Sequence, residues 1–277
     1  MTEIRLPLAV LFALTLSASA GGGEPSVAVT VAEPAGVEHK AAPVTGGIPF
    51  RKGQVRDVST LALFTKSGAP VPAQFSRLSG YEDGSVQWAL ADFLTDLKAG
   101  ERGEFVVKSG QAVAPAKPLK ITESAASISV DTGAARFTIS KSAFNLLESV
   151  ELAGGKVAGP GSLDLLDADG KAFRAAKPAR TSWEYKGPVR ATLRVDGPYS
   201  GDGGGKFIHY TARLTFWAGT SLVRVVHSLR NSEPTEGFDA RIKQATVSLS
   251  LGFRSGEAGK GADWAARGDG KGGVLVA

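Results

Sequence analysis

The feature that most constrains this chain is a repeated two-residue alternation of apolar and other side chains. Val27, Val29 and Val31 follow this pattern, and the stretch 189–195 repeats it. This is the period of a half-buried strand, and no stretch shows a sustained 3.6-residue apolar period. The 35 glycines and 14 prolines, which follow no repeat, suit strands joined by tight turns. The sequence therefore predicts an all-β fold with little helix.

Turn signals and a linker organise these strands into two domains. Asp83-Gly84 predicts a hairpin turn between strands at 75–78 and 86–93. The stretch QAVAPAKPLK at 111–120 has prolines, small residues and lysines, which is typical of a linker. We therefore predict one β domain over residues 24–113 and an antiparallel β-sandwich domain over residues 119–277.

The first twenty residues have the layout of a secretory signal. Arg5 precedes an apolar run from Leu6 to Leu16, and Ala18-Ser19-Ala20 supplies small residues for cleavage. The apolar run is too short to span a bilayer, which disfavours the alternative of a retained membrane anchor. We expect residues 1–20 to be a signal peptide cleaved after Ala20, with no membrane association afterwards. The absence of cysteine fits a bacterial periplasmic or secreted protein.

Charge and short motifs exclude several classes of function. The formal charge of +5 is mild and spread along the chain, so we predict no nucleic-acid partner. The glycines of 154–161 resemble a dinucleotide fingerprint, but no helix follows them, so a flexible hairpin loop is expected. The acidic stretch 164–171 lacks the spacing of a calcium loop and predicts a turn. His39, His209 and His227 have no chelating spacing, so no metal or cofactor is predicted.

The best candidate site that the residues themselves indicate is the hairpin at 207–229. Alternation places Tyr210 on an apolar face and His209 and Arg213 on the polar face. A turn centred on Gly219 would bring further polar residues to that face or near it, namely Arg224 and His227 from the second strand and Arg190 and Arg194 from a neighbouring strand. Guanidinium groups there could bind a uronate carboxylate. The alternative is a solvated sheet face with strand-spaced arginines. The sequence favours this alternative, because perturbed pKa values, which would mark a site, cannot be seen in it.

The four tryptophans are Trp88, Trp183, Trp217 and Trp264. Each could stack on the apolar C–H face of a sugar ring. Because large indoles in strands are usually core anchors, the strand positions of Trp88 and Trp217 favour core roles for these two.

Three motifs between Pro43 and Phe105 resemble the N-terminal RIFT-barrel domain of the exo-rhamnogalacturonan lyase-like family. They are Gly47-Ile48-Pro49-Phe50 with Gly53, then Pro72-x-Gln74-Phe75, then Asp83-Gly84-Ser85-Val86-x-Trp88. The chain from Ile121 onward, above all 209–231, is similar to the central β-sandwich of that family. The resemblance implies a small RIFT-type barrel followed by a sandwich. It also implies that Trp88 fills the barrel between Val86 and Leu90.

The resemblance also implies an exported polysaccharide-lyase-like protein that acts on or binds acidic pectic glycans such as rhamnogalacturonan. Members of the family that the chain resembles carry a third domain, a helical α/α toroid, after the sandwich. We therefore expect a sandwich that is incomplete at its C-terminal end and no activity of this chain alone. Three explanations stay open: the sequence is a fragment, its gene is truncated, or a toroid partner is encoded elsewhere. Residues proposed for the site are His227 and Tyr210 as proton carriers, with His209, Arg213, Arg224 and Arg194 binding substrate. The alternative is a non-catalytic carbohydrate-binding or scaffolding protein.

Overall fold

A computed structural model describes residues 12–13, 24–203, 205–231, 241–251, 266–268 and 274–276. Within these ranges the chain forms 21 β-strands and one short 3-10 turn at Val58–Thr60, with no α-helix. All the registered strand pairs are antiparallel. The prediction of an all-β fold is therefore confirmed. No helix of the described ranges has the length and apolar character that a membrane crossing requires.

The chain divides into two compact units, and the first runs to Leu119. This unit also includes Tyr185–Ala191 and Trp217–Thr220. A five-stranded sheet has the order β1-β2-β8-β4-β5 and a three-stranded sheet has the order β3-β7-β6. The strands are β1 (Phe12–Ala13), β2 (Ser26–Ala32), β3 (His39–Pro49), β4 (Leu61–Thr65), β5 (Pro70–Val71), β6 (Ala73–Gly80), β7 (Val86–Leu97) and β8 (Arg102–Ser109).

The alternation read from the sequence builds the core of the first unit. Val27, Val29 and Val31 of β2 are all buried, as predicted. The rings of Phe93 and Phe105 meet edge to face with centroids 5.1 Å apart. Each buried aliphatic or aromatic side chain of this kind contributes about 1.5–3 kcal/mol through removal of apolar surface from water. The Asp83-Gly84 turn joins β6 to β7, which confirms the predicted hairpin.

Gln74 of β6 ties the segment 185–191 into the first unit. Its Oε1 accepts hydrogen bonds from the backbone N–H groups of Val189 and Arg190, at 3.2 and 3.1 Å. At Gly187, an added Cβ would overlap the Gln74 side chain, so glycine is needed for this close approach. The glutamine of the Pro72-x-Gln74-Phe75 motif therefore has a structural function as a backbone acceptor.

The second unit comprises Lys120–Glu184, Thr192–Phe216 and the chain from Ser221 onward. Its main sheet has the order β18-β17-β16-β14-β13-β12-β11-β10-β9, with β15 also paired to β16 and β19 to β13. The strands are β9 (Lys120–Glu123), β10 (Ser127–Asp131), β11 (Arg136–Ser140), β12 (Ser149–Leu152), β13 (Gly155–Asp167), β14 (Ala172–Ala175), β15 (Arg180–Lys186), β16 (Arg190–Gly201), β17 (Lys206–Trp217), β18 (Val223–Arg230), β19 (Ile242–Leu251), β20 (Ala266–Gly268) and β21 (Val274–Val276).

The glycine-rich stretch 154–161 is not the flexible loop that the sequence predicted. Strand β13 begins at Gly155 and runs through this stretch, pairing with β12. At Gly161 an added Cβ would lie 2.7 Å from the carbonyl oxygen of Asn145 and 2.8 Å from that of Ser248. These distances are too short for a carbon atom, so glycine here permits close approach of neighbouring backbone.

The acidic stretch 164–171 forms the predicted turn, between β13 and β14. Asp167 Oδ1 accepts hydrogen bonds from the backbone N–H groups of Asp169 and Lys171, at 3.0 and 2.8 Å. Its carboxylate therefore closes its own loop, as aspartate commonly does in turns.

Trp88 does not fill the interior of the first unit, and the expectation from the resemblance is wrong on this point. Trp88 is 41% exposed to solvent. A register shift between β6 and β7 is the cause: the successive residues Ser79 and Gly80 pair with Trp88 and Val86, so Gln87 is an extra residue in β7. This bulge changes the face to which the side chains on either side of it point. Val86 and Ala89 are consequently both buried, while Trp88 faces outward.

Candidate functional site

The hairpin formed by β17 and β18 has one fully apolar, inward side, as predicted. Tyr210 and its β17 neighbours at positions 208, 212, 214 and 216 are all buried. The Tyr210 ring stacks on Phe144 with centroids 5.1 Å apart, and its hydroxyl donates to the Ala176 carbonyl at 3.0 Å. Burial is the main cause that raises the pKa of Tyr210. Tyr210 therefore lies in the core, with its hydroxyl proton already engaged.

The register of this hairpin places His227 on the inward side, not beside Arg213. His227 pairs with Ala212, while Arg224 pairs with Thr215 on the outward side. The connection between the strands comprises residues 218–222 and is not the predicted turn centred on Gly219. That difference shifts the pairing by one residue, and such a shift moves a side chain to the other face of the sheet. The expectation that both imidazoles lie on or near the polar face is wrong for His227.

The outward side of β16, β17 and β18, together with Glu184 of β15, forms a surface that we call the arginine face. It comprises Glu184, Arg194, Asp196, His209, Thr211, Arg213, Arg224 and Arg230. On it, Thr192 Oγ1 lies 3.0 Å from Thr215 Oγ1, and Thr211 Oγ1 donates to Asp196 Oδ1 at 2.6 Å. These two contacts define an antiparallel register in which Arg194 lies opposite Arg213.

Glu184 lies between the two central guanidinium groups of the arginine face. Arg213 Nε is 2.9 Å from both carboxylate oxygens of Glu184, and Arg194 Nη1 is 3.8 Å from Oε1. The side chains of Glu184, Arg194 and Arg213 are 28%, 31% and 35% exposed, so solvent reaches all three. This geometry shows that the two guanidinium groups can share one carboxylate.

The carboxylate of Asp196 binds the guanidinium group of Arg194. Arg194 donates two hydrogen bonds to its carboxylate, at 2.8 and 2.9 Å. Burial by itself would raise the pKa of Asp196, but hydrogen bonds from Arg194 and Thr211 outweigh it and lower the pKa. Asp196 is thus ionised near neutral pH and holds the Arg194 side chain in place.

The remaining members of the arginine face give it a positive excess. Arg224 and Arg230 are exposed on β18, and His209 is half-buried opposite Arg230. Four arginines against two carboxylates leave an excess of two positive charges on this face. The structure thus brings Arg194, His209, Arg213 and Arg224 together on one side, and leaves Tyr210 and His227 on the other.

A tyrosine–histidine pair on the inward side was missed by the sequence analysis. Tyr199 Oη lies 3.0 Å from His227 Nε2. Burial is the main cause that raises the pKa of Tyr199, and burial lowers the pKa of His227. Continuing the alternation of β16 from Val195 through Gly197 would have placed Tyr199 on this side. Tyr199 is fully buried, so only His227 of the pair is accessible to solvent.

Arg190 does not join the arginine face, although the sequence analysis placed it there. It is 8% exposed and belongs to the first unit, where its Nε lies 3.1 Å from Asp92 Oδ1. The two atoms are close enough for an ion pair but are not aligned as a hydrogen bond. The Arg190 guanidinium also lies over the Tyr185 ring, 4.1 Å from its centroid. Burial raises the pKa of Asp92, although Arg190 and Thr45 oppose this.

The other tryptophans differ in burial. Trp217 is 9% exposed, which confirms its assignment to a core. Trp183 is half-buried, and its indole N–H donates to Glu123 Oε1 at 2.9 Å. Trp264 lies outside the described residues. In the part of the chain that the structure describes, no three His, Asp or Glu side chains come together as metal ligands would.

These features define an all-β protein of two compact units, with a positively charged strand face on the second. Family models match most of it: residues 31–107 match the PcRGLX-like N-terminal RIFT barrel domain and residues 119–239 match the PcRGLX-like protein central beta sandwich domain. The chain belongs to the PcRGLX-like family. This confirms the family resemblance and the RIFT-barrel and β-sandwich architecture.

Individual proteins are also similar to the chain. The uncharacterized protein YetA of Bacillus subtilis (strain 168) is 28% identical over 201 residues, which cover 67% of this chain and 23% of YetA. The chain thus spans about a quarter of the length of this relative. A crystal structure of a protein in the glycosyl hydrolase family 38 from Enterococcus faecalis is 11% identical and has a TM-score of 0.37. That match covers 76% of this chain and 31% of the other, and it is too weak to support an argument.

Proposed function

We propose that this chain is the carbohydrate-binding part of an exported polysaccharide-lyase-like protein, and that its ligands are acidic pectic glycans such as rhamnogalacturonan. The observation that carries the proposal is the pair of guanidinium groups, Arg194 and Arg213, that share the carboxylate of Glu184. A uronate carboxylate has the same planar shape and charge as that glutamate side chain. Arginine forms paired hydrogen bonds with such groups.

The binding mode follows from the atoms that remain available on the arginine face. Arg213 engages Glu184 through Nε, so its outer nitrogens can still donate to a ligand. The exposed guanidinium of Arg224 adds a second cation on the neighbouring strand, opposite Thr215. Asp196 holds Arg194 in a single orientation, which lowers the entropy cost of binding.

A second candidate function is β-elimination with His227 as the proton acceptor. The observation that favours it is the contact between Tyr199 and His227, with burial keeping the imidazole neutral. Elimination also requires a group that neutralises the uronate carboxylate beside the base. Arg213 lies on the opposite side of the sheet from His227. Binding without turnover by these residues is therefore our first proposal.

The test is a calorimetric titration of the purified chain with oligogalacturonate and rhamnogalacturonan oligosaccharides. We expect Arg213→Ala to weaken binding about tenfold, the low end for a hydrogen bond between charged groups. Arg136→Ala is the matched control, because it removes another exposed arginine that pairs with carboxylates, Asp131 and Glu151. Equal losses in both variants would mean that only overall charge matters, and would contradict the proposal.

Absorbance from unsaturated uronate separates the two candidate functions. When the wild-type chain is incubated with the same oligosaccharides, it should bind them without forming the unsaturated product. Product formation by the wild-type chain that His227→Gln abolishes would instead favour elimination. Export is part of the proposal and has its own measurement: a mature N-terminus at Gly21 in the periplasm or medium is expected, and an intact Met1 there would contradict it.

A further inference from the structure

Trp88 presents an indole to solvent from the strand face of the first unit. The six-membered part of its ring lies on β3, because a Cβ added to Gly47 would be 3.3 Å from Trp88 Cε3. Pro49 of β3 pairs with Trp88 on one side, and Ser79 of β6 pairs with it on the other. The indole is thus supported from beneath by backbone and is 41% exposed above.

A bulge in β7 creates this exposure. Regular alternation in β7 would place Trp88 on the same side as Val86, which is 1% exposed. The register shift between Ser79 and Gly80, which leaves Gln87 as an extra residue in β7, instead turns the indole outward. Bulges are often found where a strand must redirect a side chain to a binding site. A core tryptophan would need no such device.

Positive charge lies beside the indole just after β3. Arg51 follows Pro49, the partner of Trp88, by two residues and is exposed. Arg77 of β6 pairs with the buried Ala89 and so lies on the opposite side of the sheet from the indole. Two residues of extended chain span about 7 Å, which is comparable to the width of a sugar ring.

We infer that Trp88 is a stacking platform for a pyranose ring of an acidic glycan, with Arg51 available to its carboxylate. The apolar C–H face of a pyranose complements the face of an indole, as aromatic rings complement one another through shape and quadrupole. An arginine about one ring width from the indole suits a glycan with a uronate at or next to the stacked ring. This inference rests on the proposed acidic-glycan ligand and adds a separate subsite in the first unit.

The experiment compares wild type, Trp88→Ala and Trp88→Phe in the full chain by calorimetric titration. The probes are oligogalacturonate, rhamnogalacturonan oligosaccharides and a neutral galacto-oligosaccharide of similar length. We expect Trp88→Ala to weaken binding of the acidic probes about tenfold, and Trp88→Phe to retain part of the affinity because a smaller aromatic face remains. Saturation with ligand should change the tryptophan fluorescence of the wild type much more than that of Trp88→Phe.

Leu78→Ala is the matched control, because Leu78 is an apolar side chain in the adjacent bulge of β6, 48% exposed, with no aromatic face. An equal loss in this variant would indicate a general apolar docking surface and overturn the inference. Unchanged binding by Trp88→Ala would also overturn it, while leaving the proposed function intact. If the wild type bound no acidic probe, both would fail. Equal binding of the neutral probe would overturn the acidic assignment.

Discussion

His227 and Tyr210, the two residues expected to transfer protons, are held in environments that differ from a solvated strand face. The Tyr210 hydroxyl donates to a backbone carbonyl inside the core, and the His227 imidazole contacts Tyr199. Burial favours the neutral form of each side chain. At the scale of single residues, the structure therefore gives His227 a contribution to stability that can be measured separately from any role in binding.

We predict that His227 makes the chain less stable as the pH falls below neutrality. Because its folded pKa lies below the ordinary value of 6.5, the unfolded chain binds the proton more readily. The stabilisation is complete above pH 6.5 and is lost as the pH falls through the folded pKa. Urea unfolding of wild type and His227→Gln between about pH 7.5 and pH 5 should show the difference between them shrinking towards low pH.

Tyr199→Phe is the control for this measurement. It removes the hydrogen bond to His227 but leaves the imidazole buried, so the pH dependence should persist. A difference between wild type and His227→Gln that stays constant or grows at low pH would contradict the assigned direction of the pKa shift.

At the scale of secondary-structure elements, side-chain hydrogen bonds hold the start of β16 and the residues before it. Gln74 of β6 accepts from two successive backbone amides, Val189 and Arg190, within the first unit. Two backbone donors would lose their acceptor without it, and each buried donor left unsatisfied costs about 1–3 kcal/mol. The glutamine therefore determines the local stability of residues 187–190.

We predict that Gln74→Ala increases hydrogen exchange at Val189 and Arg190 by at least tenfold. The reason is that the segment can open locally once its side-chain acceptor is removed. Gln74→Glu keeps an acceptor oxygen at the same position and should retain most of the protection. Exchange measured by mass spectrometry over peptides covering 185–191 tests this. Equal protection in wild type and Gln74→Ala would show that other contacts hold the segment.

At the scale of the whole molecule, the first compact unit is not continuous in sequence. It takes in Tyr185–Ala191 and Trp217–Thr220 in addition to the chain up to Leu119. The buried pair of Asp92 and Arg190 joins these parts, with Asp92 fully buried. Removing one partner of such a pair costs about 3–5 kcal/mol, because the other charge remains buried.

We predict that Asp92→Asn has different effects in the full chain and in a fragment of residues 24–119. In the full chain it leaves Arg190 without its carboxylate and should lower the free energy of unfolding by about 3 kcal/mol. The fragment lacks Arg190, so Asp92→Asn should be neutral or stabilising there. Urea unfolding midpoints of the four proteins give the comparison. The same loss in both would contradict the role assigned to the ion pair.

Strand positions, turns and family membership were predictable because they depend on short stretches of sequence. The alternation at Val27, Val29 and Val31 and the Asp83-Gly84 turn each involve residues close together in the chain, and both predictions are confirmed. The alternation along β17 likewise predicted that His209 and Arg213 share a face, with Tyr210 on the other. Period-two alternation is a property of the extended backbone itself, so it needs no knowledge of the partner strand.

The faces of His227 and Trp88 and the burial of Arg190 were decided only by the tertiary structure. A connection over 218–222 and the β7 bulge beside Trp88 each shift pairing by one residue. Alternation cannot reveal such a shift, because it reads one strand at a time. Arg190 forms a buried ion pair with Asp92, a residue far away in the sequence. Extended segments and their turns were thus determined by the sequence alone, whereas register and long-range charge pairing required the packed fold.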